Sequence, residues 1–161
     1  MKPQQREHFI LIKKAGFDNS ERLLSASECA NALLDNMLWP LYERTRCQHM
    51  VQAGHRVLIY LAGDEADCKH VIAKAEVNGV ELWNSAHKKR FPLMLDGVPN
   101  RVLILKNVVR FERPVDVRSQ LRQLSFIPAN HKKWGVALMG GMRSISATDY
   151  AILCGEVKDD C

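Results

Sequence analysis

Residues 39–61 read WPLYERTRCQHMVQAGHRVLIYL, and the reading of this stretch decides the fold. Its last five residues, VLIYL (57–61), form an apolar run with the length and β-branching of a strand buried on both faces. Upstream, Pro40 re-directs the chain and the spacing predicts a short helix over 41–52. On such a helical turn Trp39 and Tyr42, three apart, share a face, and Arg46, four beyond Tyr42, extends it. Gly54 ends that helix, because only glycine takes the left-handed cap conformation without steric cost. An aromatic and basic segment feeding a central buried strand makes a rim for a flat, anionic ligand. On residue chemistry alone, core packing beside the strand is the plainer reading of the same rings.

Downstream, GDEAD (63–67) reads as a solvated turn, since its three carboxylates lack the spacing of a calcium loop. HVIAKAEV (70–77) alternates as a strand, with Val71, Ala73, Ala75 and Val77 on one face. Asn78-Gly79 is the strongest short hairpin signal in the chain and leads into VELW (80–83). NSAHKKR (84–90) is the densest basic run. Its Lys88, Lys89 and Arg90 stand between Trp83 and Phe91. Lysines and arginines track phosphates while rings stack on bases, so this interleaving suits a nucleic-acid strand, and a solvated loop is the plain alternative. RVLILKNVVRF (101–111) is a long strand, bulged around Lys106-Asn107 and closed by Pro114; a short helix follows over 116–124 with Arg118 and Arg122 on its outer face. Trp134 behind His131, Lys132 and Lys133 is a second aromatic-basic cluster. Residues 139–143 (MGGMR) read as a flexible turn, and Ser146 with Asp149 as a capping box opening a last helix to Leu153.

Upstream, HFILIK (8–13) is an early strand, GFDNSER (16–22) a loop, and 27–39 a helix capped by Ser27. The whole gives five or six short strands with intervening helices in one α/β unit. No repeat, low-complexity tract or linker interrupts it, and a chain of 161 residues is read as a single domain, 1–161. The ending KDDC also suits a domain of a longer chain.

Hydrophobic residues at 47% and charged residues at 25% are ordinary for a globular protein. A net charge of +5 and a pI near 9.0 tilt toward polyanions. No apolar run approaches the roughly 18 residues of a membrane span, and the N-terminal apolar stretch is too short for a signal peptide. Five widely spaced cysteines point to reduced thiols and a cytoplasmic setting.

Catalysis needs a recognisable constellation, and the sequence offers no Gly-rich phosphate loop, nucleophile elbow or zinc-protease histidine pair. Cys47 and His49 with Cys68 and His70 make four candidate zinc ligands. On a helix the first pair lies about 200° apart, and structural zinc sites use wider spacing. The expectation is therefore no catalytic residue, no metal and no cofactor.

The run WPLYERTRCQHMVQAGHRVLIY resembles the EVE domain, a family of the PUA-like superfamily beside YTH and ASCH domains. The resemblance continues through HVIAKAEV and through RPVDVRSQLRQLSFIPANHKKWGVALMGGMRSISATDY. There a Pro-Val step, a short helix, an LSFI segment, a Lys-Lys-Trp-Gly turn and a closing helix keep the family's order. It covers about residues 8–154 and rests on order and spacing together. It implies a PUA-like α+β fold: a curled mixed sheet, or partly open barrel, of five to six strands flanked by helices.

The implied activity is the binding of DNA or RNA, with one base, often a modified one, held in an aromatic cage. Stacking contributes roughly 1–3 kcal/mol per base. Extruding a base from a duplex costs a few kcal/mol, so more than one ring is needed. A buried methyl mark adds about 0.8 kcal/mol. By resemblance Trp39, Tyr42, Tyr60, Trp83 and Trp134 are the base-binding candidates. Arg46, Lys88, Lys89, Arg90, Lys132, Lys133 and Arg143 are the candidates for the nucleic-acid backbone. A nuclease domain or subunit, as in a modification-dependent restriction system, is the implied partner. Gly54-His55 replaces the family's Gly-Asp, Leu61-Ala62-Gly63 lacks its polar residue after the strand, and His8-Phe9 replaces a Tyr-Trp. These departures leave open which base is read. An ASCH-like RNA-processing enzyme and a protein-interaction module are the alternative classes.

Overall fold

The computed structural model describes residues 7–155. Strict alternation in β1 (His8–Lys13) sends Phe9 and Leu11 to one face of a sheet and Ile10 to the other, and all three are fully buried. The sheet is therefore covered on both sides. One core contains α1 (Ala26–Asn36); the other contains α3 (Ala147–Leu153). Between β1 and α1 lies a small hairpin of β2 (Gly16–Phe17) and β3 (Leu23–Leu24). The Asp18 carboxylate organises its turn by accepting from the backbone N–H groups of Ser20 and Arg22. Past α1 come β4 (Leu38–Leu41), β5 (Arg56–Leu61), β6 (His70–Leu82), α2 (Ser85–Arg90), β7 (Arg101–Asp116) and β8 (Met142–Ile145). The six-stranded order is β4-β7-β6-β5-β1-β8, parallel at β1–β5 and antiparallel elsewhere.

The sheet curls until its two edges meet. The Arg46 N–H, just past β4, donates to the Gly140 carbonyl, just before β8, at 3.0 Å, while the Ile12 N–H to Gly141 O bond at 2.9 Å extends the β1–β8 ladder toward that junction. This is the curled, partly open barrel of a PUA-like α+β fold.

Several local expectations change, each for an identifiable reason. The first helix starts at Ala26, not Ser27, because Ser25 has Glu28 three residues on and the two exchange side-chain and backbone bonds in a capping box. It ends at Met37, whose φ of 54° is left-handed, so 38–41 is strand and Trp39 pairs with Leu103. Pro40 fits because β4 is an edge strand, where a missing N–H loses no ladder bond. No helix forms over 41–52. Turns closed by backbone bonds (Thr45 N–H to Tyr42 O, Met50 N–H to Cys47 O) replace it, and side chains help: Tyr42 N–H donates to Thr45 Oγ1, and Gln48 Nε2 donates to the carbonyls of Tyr42 and Glu43. Gly54 does take a positive φ, 91°, but in a turn.

Asn78-Gly79 makes a bulge within the continuous β6 rather than a hairpin, since the 16-residue β7 lies alongside to pair with it throughout. A second shift between Val71 and Ala73 turns Val71 to the α3-side core while Ala73, Ala75 and Val77 stay with the α1-side core. Pro114 lies inside β7, which β4 covers only over Arg101–Ile104, leaving its outer edge open. The bulge expected near Lys106-Asn107 is present, with Asn107 at φ 51°. The helix expected over 116–124 is only a 3-10 turn, Val117–Gln120, and the basic run over 84–90 forms α2, capped by Asn84, rather than the alternative of a solvated loop. Part of the expected flexible turn is β8, and the Ser146–Asp149 capping box opens α3.

Cys29, Cys47 and Cys68 are free, Cys154 is disulfide-bonded against the expectation of reduced thiols, and Cys161 lies outside the described residues. Sequence spacing carried no sign of that bond. Among the described residues no helix is long and apolar enough to cross a membrane.

Candidate nucleic-acid interface

Where the sheet edges meet, the chain leaves a cavity of about 100 Å³ lined by Trp39, Pro40 and Tyr42, by Ile12 and Lys13 from β1, and by Leu33 of α1. Thr45, Phe91, Leu93, Met94 and Gly141 complete the lining. Each wall has a local cause. Pairing of β4 with β7 fixes Trp39, which is 3% exposed and packed into the α1-side core. The Thr45 and Gln48 bonds shape the turn that carries half-buried Tyr42. Burial raises the Tyr42 hydroxyl pKa, the Asp96 carboxylate adds to this, and a hydrogen bond with the Asp96 backbone opposes it. Lys13 brings an ammonium to a largely apolar lining. Burial holds its pKa below the usual value, with Cys29 opposing and Lys14 adding.

Phe91 ends α2 and is held edge-on by Trp83, with ring centroids 5.6 Å apart. Trp83 also stacks at 5.7 Å on His87, which is buried. The His87 ring accepts from the Asn84 N–H through Nδ1 at 3.1 Å and meets Glu81 Oε1 through Nε2 at 2.8 Å. That pattern requires the proton on Nε2 and a donor bond to Glu81. Trp83 therefore braces a cavity wall without lining the cavity. Lys88, Lys89 and Arg90 are exposed on the same helix, directly before Phe91, and exposed Arg46 sits at the sheet junction.

The other sequence candidates lie elsewhere. Tyr60 faces the α3-side core at 3% exposure, its hydroxyl pushed up to about 12 by burial and by Cys68. Trp134 packs half-buried against that same core, on the 3-10 segment His131–Leu138 that carries exposed Lys132 and Lys133. Arg143 is half-buried, donating to Ala137 O at 3.2 Å with its guanidinium 5.1 Å from the Phe126 ring centroid. The candidates thus divide between the two faces of the sheet. Sequence reading missed Lys13, Thr45 and Met94, and noted Phe91 only as a flank. Lys13 is the last residue of an apolar strand, and only the closure of the sheet brings the three to one place.

No family model matches the chain, and no curated protein matches it significantly. Solved structures do. The N-terminal domain of Staphylothermus marinus McrB superposes with a TM-score of 0.58 at 9% identity, covering 96% of this chain and 99% of that one. The YTH domain of Zygosaccharomyces rouxii MRB1, solved in complex with N6-methyladenosine RNA, gives 0.56 at 14%, covering 99% and 91%. Human THYN1, in complex with 5-methylcytosine containing DNA, gives 0.55 at 9%, covering 96% and 99%. At these identities the likeness is one of fold, and that fold is PUA-like, of the type the sequence resemblance implies.

Proposed function

We propose that this PUA-like chain is an EVE-type reader that takes one modified base of DNA or RNA into the Trp39 cavity. The observation that carries the reading is the meeting of Trp39, Tyr42 and Phe91 around one cavity, with an exposed basic helix running into its wall. Rings offer π-faces to any base. Met94, 42% exposed and flexible at its thioether, is the side chain best able to yield to an entering base. Lys13 supplies a donor for an acceptor edge of the base, and Lys88, Lys89 and Arg90 supply cations for the flanking phosphates. Two structural neighbours, one with methylated RNA and one with methylated DNA, support the ligand class and leave both polymers in it. The reading is of binding rather than catalysis: the polar side chains of the cavity are Lys13, Tyr42 and Thr45, without the paired acid and base that hydrolysis needs. A nuclease partner belongs to the same proposal through the resemblance and the McrB-domain likeness.

The test is tryptophan fluorescence titrated with short oligonucleotides, each base modified and unmodified, at two salt concentrations. Quenching that depends on one modified base is the expected result. Salt-sensitive binding without base preference, or no response, overturns the reader.

A further inference from the structure

We propose a second ligand site, on the α3 side of the sheet, in which Lys74 holds a phosphate group. Lys74 is 9% exposed, and among the described residues it makes no hydrogen bond or ion pair. Its cross-strand partners are Leu58 on β5 and Val109 on β7, so the register brings it no carboxylate. The stem is buried in the sheet while the ammonium reaches solvent at the mouth of a cavity, where an anion can meet it. The side chain lines a cavity of about 290 Å³ together with Arg56, Glu76, Asn107 and Tyr150.

The composition of that cavity selects the ligand. Arg56 and Glu76 are direct partners in the β5–β6 register and offset one another, so two cations and one carboxylate leave a single net positive charge. A monoanionic phosphodiester, or a singly protonated phosphate, matches it. The Tyr150 hydroxyl and the Asn107 amide are neutral groups of the kind that bond phosphate oxygens. The Tyr150 ring is held by His8, 4.7 Å away between centroids. Asn107 is fixed at the β7 bulge. His8 opens β1 and Lys13 closes it, so the site lies at the far end of that strand from the Trp39 cavity. It goes beyond the base-reading proposal and does not depend on it.

The phosphate has two sources, a bound nucleic-acid strand or a free phosphate ester. Backbone amide NMR shifts at Lys74 and Asn107 in the full chain, titrated with inorganic phosphate against chloride at equal ionic strength, test the site directly. Saturable shifts with phosphate alone are expected. Lys74→Met should weaken phosphate by about tenfold or more, as befits loss of a charge-assisted contact. Lys74→Arg should retain it, and Arg56→Gln, at a half-buried position, should weaken it even if Lys74→Met fails to fold. Tyr42→Ala should leave it unchanged, which separates this site from the base pocket. An oligonucleotide that shifts the same amides and competes with phosphate assigns the strand as source; shifts from phosphate alone assign the free ester. Shifts that chloride reproduces, shifts that persist in Lys74→Met and Arg56→Gln, or no shift with either ligand overturn the site.

Discussion

The N–H of Arg46 donates to the carbonyl of Gly140 at 3.0 Å, and this bond ties one edge of the six-stranded sheet to the other. The Trp39 cavity exists because of that closure. Its lining comes from the turn after β4, the end of β1, α1 and the turn before β8, which are distant in sequence.

Gly140 is therefore a sensitive position. Its φ is +86°, and a Cβ there would sit 2.8 Å from Arg46 side-chain atoms. The Arg46 side chain can swing aside, whereas the left-handed backbone cannot relax, so Gly140→Ala should cost about 1–2 kcal/mol. Urea denaturation should show the lower midpoint, and binding of a modified oligonucleotide should weaken with it. A variant as stable as the parent would mean that the junction tolerates a side chain.

Tyr42 is the cleaner probe of the cage. Trp39 is buried in the core, where truncation to Ala costs about 3–5 kcal/mol, a large part of a small domain's stability. Tyr42 is half-buried, so Tyr42→Ala should leave the fold intact and remove about 1–3 kcal/mol of base binding. Circular dichroism and fluorescence titration together check it. Undiminished affinity in a folded variant would take Tyr42 out of the site.

Strands with both faces buried were legible: the run at 57–61 and HFILIK carry their periodicity openly, and Ser146 with Asp149 announces a helix start. The cage was legible only in part. Trp39 and Tyr42 were singled out on a helical face that does not exist, since a left-handed Met37 and an edge-strand Pro40 override helical spacing. Asn78-Gly79 reads as a hairpin until a long neighbouring strand makes a bulge the better pairing. Tyr60, Trp83 and Trp134 look alike in sequence; Tyr60 and Trp134 go to the α3-side core, whereas Trp83 stays on the side of Trp39 but stands behind Phe91. Lys13 carried no signal, because its role depends on where the sheet closes.

The two basic clusters should differ in salt dependence. Lys88, Lys89 and Arg90 stand exposed beside Phe91, whereas Lys132 and Lys133 stand beside Trp134 of the α3-side core. Replacing the first three by Gln should flatten the slope of log K against log salt by up to about 0.7 per lost contact on a single strand. Replacing Lys132 and Lys133 should leave it unchanged. Equal slopes for the parent and the triple variant would remove α2 from the contact surface.

Asp149 should set the acid limit of the fold. Its carboxylate accepts from the Ser125 N–H at 2.8 Å, from the Ser125 hydroxyl at 2.5 Å and from the Ser146 N–H at 3.3 Å. Burial alone would raise its pKa, but the Ser125 and Ser146 donors outweigh it and hold the group below the usual 3.8. A depressed folded-state pKa means that the carboxylate contributes stability above its unfolded value, and that this contribution is lost as pH falls through the lower folded value. The parent should therefore lose stability below about pH 4, with urea midpoints measured from neutral pH downward. Asp149→Asn keeps the shape but not the charge. It should be about 1–3 kcal/mol less stable at neutral pH, through the weakened bonds to Ser125 and Ser146, with a flatter acid limb. An acid limb identical to the parent's would place the sensitivity on another carboxylate.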